Sequence, residues 1–114
     1  MSNMAICLAA EPLRSLGFAS ISGAYAAIGT ALLNPSRIMI LQNFTDKQMI
    51  FSFDGTNDHL TLPSGGQIVL DFTSNKTVTG GAAYIPAGTI VYVKQVLAPG
   101  SGSVYVSTFY GING

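Results

Sequence analysis

QMIFSF-DGTND-HLTL-PSGG-QIVLDF, residues 48–72, decides the fold class. Met49, Phe51 and Phe53 alternate with Gln48, Ile50 and Ser52, so the large apolar residues fall on one side of an extended chain. Asp54-Gly55-Thr56-Asn57-Asp58 then stops the strand with residues that tolerate tight turns. His59–Leu62 is a short strand, and Pro63-Ser64-Gly65-Gly66 turns the chain again. In the closing run Ile68, Leu70 and Phe72 share a face, which leaves Asp71 on the opposite, solvent side.

The same grammar continues outward. RIMILQNF (37–44) is β-prone and ends at Thr45-Asp46-Lys47. A polar loop over 73–81 precedes a short strand at Ala82–Ile85, which stops at Pro86-Ala87-Gly88. TIVYVKQV (89–96) is the strongest β signal, and SVYVSTFY (103–110) follows the APGSG turn (98–102). Strands spaced by about 8–12 residues between Gly, Pro, Asn and Asp point to a sandwich or barrel. The fold expected is all-β: an antiparallel β-sandwich or jelly-roll-like barrel of about seven to eight strands with an extended N-terminal arm. Residues 1–22 read as the arm or first strand, and 23–114 as the sandwich, one domain in all. Leu13–Ile21 is apolar or small on both faces, as for a strand buried on both sides. Residues 22–36 read as a loop with one extended piece near Tyr25–Ile28; Gly29-Thr30 argues against a helix over 23–33.

Composition narrows the function. Charged residues are 9% of the 114 and hydrophobic ones 48%, against about 25% charged in typical soluble domains. Polar cover must come from Ser, Thr, Asn and Gln, or much of the surface is covered in the working state. Five basic and five acidic residues cancel, and the basic ones are scattered, which argues against nucleic acid as a partner. Leu16–Leu33, the longest apolar stretch, is broken by glycine, serine and threonine, so no membrane span is expected. The first ten residues lack a basic signal-peptide region. Cys7 stands alone, so the chain forms no internal disulfide.

Chemistry-bearing constellations are sparse. His59 is the single histidine, so no His-rich metal site can be built within one chain. No nucleophile-elbow pattern surrounds any serine. Asp54–Asp58 has oxygen groups at calcium-like spacing but lacks the ordered acidic positions of an EF-hand loop, so a turn is the expected use. Gly65-Gly66 and Gly80-Gly81 lack the lysine and helix of a phosphate loop. No catalytic residue, cofactor or metal is therefore expected, and the chain reads as a non-enzyme. Tyr105 and Phe109 lie on one face of the last strand, opposite Val104, Val106 and Tyr110. With both faces apolar, one is free for a partner. The candidate assembly residues are Leu13, Leu16, Phe18, Ile21, Tyr105, Phe109 and Tyr110.

Three stretches carry a resemblance: EPLRSLGF (11–18), ISGAY (21–25) and LNPSRI (33–38). They are followed by Asn43-Phe44-Thr45-Asp46, Phe53-Asp54-Gly55 and Leu62-Pro63-Ser64-Gly65-Gly66, each beside a strand. Over residues 11–110 the pattern resembles small virion proteins of tailed bacteriophages, of the neck and head–tail connector or capsid-decoration type. That resemblance implies a structural β-sandwich subunit of the virion, assembled in the host cytoplasm. Its implied partners are other copies of itself and other virion proteins, capsid or portal and neck components. The competing reading is a ligand- or receptor-binding β-sandwich module of a tail appendage, using Tyr84 or Tyr110 with Asp54 or Asp58.

Overall fold

The computed structural model describes residues 6–71 and 85–113. Among them are nine strands, one 3₁₀ turn at Phe18–Ser20 and no α-helix. The strands are β1 (Ile6–Ala10), β2 (Arg14–Gly17), β3 (Ala26–Ala27), β4 (Ile38–Asn43), β5 (Met49–Ser52), β6 (Leu60–Leu62), β7 (Gln67–Asp71), β8 (Tyr92–Gln95) and β9 (Ser103–Asn113). Sheet A has the order β1-β9-β4-β7, with β2 also on β9; sheet B has the order β3-β8-β5-β6. All pairings are antiparallel. Two stacked open sheets make a sandwich, so the barrel alternative is set aside.

Alternation builds the core. Met39 and Leu41 of β4 and Val104 and Val106 of β9 point inward from sheet A. Met49 and Phe51 of β5, Leu62 of β6 and Val93 of β8 meet them from sheet B. Ile21, Ile28, Leu32 and Val91 close the ends. Every one of these side chains is buried, which is the driving term for stacking the sheets.

The expected strand at 89–96 is shortened to Tyr92–Gln95. Its first half still bonds to its neighbour, through Ile28 N–H to Val91 O (2.7 Å) and Leu32 N–H to Thr89 O (2.9 Å). Gly29 sits between them at a φ of +71° and breaks the regular spacing. The expected strand at 82–85 lies outside the described residues except for Ile85, which forms a bridge with Ser36.

Residues 6–17 lie along β9 of their own chain, as β1 and β2. Ala10 faces Phe109, whereas Arg14 faces Val106. Three residues, 11–13, thus oppose two on β9, a one-residue bulge at Glu11-Pro12-Leu13. The bulge reverses the alternation. Glu11 and Arg14, three apart, would face opposite ways on a regular strand, yet both point inward and are buried.

Gly102 opens β9 at a φ of +90°, and a Cβ there would run into the Phe44 carbonyl. Gly102→Ala is expected to cost about 3 kcal/mol or more, from a left-handed backbone and a steric clash together. Urea denaturation measures it; a loss below about 1 kcal/mol would mean that the turn relaxes freely.

Candidate functional site

Register places the side chains of sheet A's outer face. Opposed pairs point the same way, so three rows cross it. They are Ala10–Phe109–Ile38–Asp71, then Ser107–Ile40–Val69, then Ser15–Tyr105–Gln42–Gln67. Leu8 adds to one end opposite Gly111. Phe44 adds to the other, its ring 5.7 Å from that of Tyr105 and tilted by 59°. Val69 is 51% exposed, Phe44 50% and Leu8 47%; Ile38, Ile40, Tyr105 and Phe109 are half-buried. Gln42 bonds Gln67 across the strands at 3.1 Å. Asp71 at a corner is the one carboxylate in these rows, which hold no Lys or Arg. The result is a sheet face with an apolar centre and an amide and hydroxyl rim, the composition of a protein interface.

Of the residues singled out by sequence, Tyr105 and Phe109 meet on this face. Leu13, 59% exposed, sits at the bulge beside Leu33, and Phe18 is 39% exposed at the 3₁₀ turn. Leu16 packs against the core, and Tyr110 is half-buried on the inward side of β9. Ile21 belongs to the core itself, 6% exposed, and contributes nothing to this surface. Sequence reasoning passed over Ile38, Ile40 and Val69. Their signal was present: RIMIL and QIVL are apolar at consecutive positions, which a strand with one solvated face does not need.

The outer face of sheet B is different. Lys94 Nζ lies 3.0 Å from Asp58 Oδ1 and 4.7 Å above the Tyr25 ring. Tyr25 donates its hydroxyl proton to Asp58. Partial burial and the Asp58 carboxylate push the Tyr25 phenol up to about 12. Beside this trio a shallow groove is lined by Gln48, Ile50, Asp58, His59, Leu60 and Thr61. Gln48 Nε2 donates to Thr61 Oγ1 at 2.6 Å. His59 Nδ1 accepts the Phe53 N–H at 3.0 Å, which puts a neutral ring's proton on Nε2.

The Asp54–Asp58 segment is a turn. Asp54 Oδ1 accepts the N–H groups of Thr56 and Asn57 at 2.8 and 2.9 Å, and Oδ2 accepts Asn57 Nδ2 at 2.8 Å. These bonds hold its carboxyl far below the usual carboxylate range. Among the described residues no three His, Cys, Asp or Glu side chains gather to hold a metal. Tyr84, named with the tail-appendage alternative, lies outside the described residues.

Comparison with protein-family models, with curated proteins and with solved structures returned no match.

Proposed function

We propose that this chain is a non-catalytic structural subunit that assembles through the outer face of sheet A. The observation that carries this reading is the apolar centre Phe109–Ile38–Ile40–Val69, flanked by Tyr105 and Phe44 and free of Lys and Arg. A sheet face that only met water would alternate polar residues at those positions. Low overall charge supports the same reading. The sequence resemblance to virion proteins over residues 11–110 supports a tailed-phage particle as the place of assembly. Copies of the chain and neighbouring capsid, portal or neck components are its partners. A second reading, a ligand-binding module, is favoured by one feature, the groove of Gln48, Ile50, Asp58, His59, Leu60 and Thr61 beside Tyr25.

Light scattering on the purified chain and on Ile40→Lys tests the assembly reading. Ile40 points outward between Ser107 and Val69, so a lysine there leaves the core intact. The expected result is an oligomer whose mass falls at least twofold in Ile40→Lys, with an unchanged circular dichroism spectrum. Equal masses would remove this face from assembly and turn attention to ligands of the sheet B groove.

A further inference from the structure

We propose that two copies of this chain join edge to edge through β1, each adding its Ile6–Ala10 strand to the other's sheet A. This inference rests on the assembly reading and deepens it: it names a second copy of the chain as partner and a second contact, distinct from the sheet face.

β9 pairs with β4 as far as Phe109 and then continues through Tyr110–Asn113. Among the described residues only β1 accompanies it there. Two strands without a third are marginally stable in water, so this ribbon gains most from a further strand.

The phase of the ladder shows where that strand would bond. Glu11 N–H donates to Thr108 O at 3.1 Å. In an antiparallel ladder bonded residues alternate, so Cys7 and Ala9 direct their N–H and C=O toward β9. Ile6, Leu8 and Ala10 direct theirs to the opposite edge, along which no strand pairs among the described residues. An unguarded row of peptide groups is a template for another strand.

Other edges are short or guarded. β3 has two residues and β6 has three. β2 follows the bulge and Pro12, which has no N–H to give. β7 carries the Asp71 carboxylate. Among the described edge strands, β1 alone is five residues long with no proline, bulge or charge.

The occupant follows from symmetry and charge. Antiparallel pairing of identical strands maps onto itself under a two-fold axis, so one edge closes a dimer. Ile6–Ala10 bears no charge and the chain's net charge is zero, so two copies meet without repulsion. Pro12 and the bulge end the ladder just past Ala10.

The test is sedimentation of the full chain in the Ile40→Lys background, where the face contact is removed. Ile40→Lys is expected at twice the monomer mass. Adding Leu8→Pro, which deletes an outward N–H and spares the bonds to β9, is expected to halve that mass. Adding Leu8→Ala, which trims the side chain and keeps the N–H, is expected to leave it unchanged. An Ile40→Lys protein that is already monomeric, or a folded Leu8→Pro variant of undiminished mass, overturns edge pairing.

Amide exchange on the unmodified chain decides independently of how Leu8→Pro folds. Leu8 and Ala10 are expected to exchange as slowly as Ala9, and exchange much faster than Ala9 overturns the proposal. Failure of the face reading looks different: Ile40→Lys then keeps the full mass of the unmodified chain and only Leu8→Pro lowers it.

Discussion

Arg14→Met is expected to destabilise the domain by about 3–5 kcal/mol, because it leaves the Glu11 carboxylate buried without its counter-ion. Arg14 Nη2 lies 2.7 Å from Glu11 Oε1, and both side chains are almost wholly buried. Arg14 also donates to the Thr30 and Ala31 carbonyls at 2.8 and 3.0 Å and to Thr108 Oγ1 at 3.3 Å. Glu11 in turn accepts Leu33 N–H at 3.2 Å, Asn34 N–H at 2.8 Å and Asn34 Nδ2 at 3.1 Å. The pair thus fastens the 30–34 loop to the β1–β2 bulge and to β9. Gly29 makes room for it, since a Cβ there would press on the Arg14 side chain. Losing about 3–5 kcal/mol from a domain whose total stability is about 5–15 kcal/mol lowers the melting temperature by roughly 12–20 °C.

The effect carries a pH signature. Burial alone would raise the Glu11 pKa, but the Arg14 bond and the Leu33 and Asn34 donors outweigh it and hold the group below 4.5. Its folded-state pKa is depressed, so its stabilisation is fully present above 4.5 and is lost as pH falls through the folded value. In Arg14→Met the largest opposing bond is gone and burial pushes Glu11 upward, so acid relieves the variant. The difference between the two proteins should therefore shrink on going from pH 7 to about pH 3.5. Urea denaturation at both pH values measures it. A difference at pH 7 below about 1 kcal/mol, or one that ignores pH, would mean that the pair contributes little. Glu11→Leu combined with Arg14→Met should recover part of the loss, limited by the Leu33 and Asn34 amides left without an acceptor.

This staple shows where sequence reading stopped. The described strands from Arg37 onward were legible because period-two alternation and turn residues are local properties, and they narrow the fold to a sandwich or barrel; the order of two open sheets decides for the sandwich. Glu11 and Arg14 stand three apart, a spacing that separates them on a regular strand. Only the bulge brings them together, and it arises from pairing with a strand about ninety residues later in the chain. The destination of residues 6–17 was hidden for the same reason. Their pattern fits a strand on any sheet, of this chain or another, and register with β9 is a tertiary fact. On the candidate face Tyr105 and Phe109 were legible from the two apolar sides of the last strand. Ile38, Ile40 and Val69 join them only through the β9–β4–β7 order, which one sequence does not state.

Asn43→Asp, a nearly isosteric change, is expected to cost about 4 kcal/mol at pH 7. Asn43 ends β4 with a fully buried side chain. Its amide nitrogen donates to the carbonyls of Lys47, Leu62 and Pro63 at 2.9, 3.0 and 3.1 Å. Its oxygen accepts Thr45 N–H at 3.0 Å and Thr45 Oγ1 at 2.6 Å. One side chain thereby holds the β4–β5 turn against the β6–β7 turn, where both sheets are crossed by the chain. An aspartate puts a carboxylate oxygen against three carbonyl oxygens, with no counter-ion replacing the lost donors. Desolvation and those carbonyls both favour the protonated acid, so the new group's folded pKa is raised above its unfolded value of about 3.9. The penalty is then absent below that unfolded value and grows with pH until the folded value is passed. Asn43→Asp should regain stability between pH 7 and about pH 4, the range over which the unmodified protein gains nothing from Glu11. Asn43→Ala supplies the contrast: it orphans the same carbonyls, costs about 3 kcal/mol, and has no new group to titrate. If denaturation finds the two variants parallel across that range, the aspartate has reached water and the turns have parted. The amide at position 43 is then a local turn former and not the joint between the sheets.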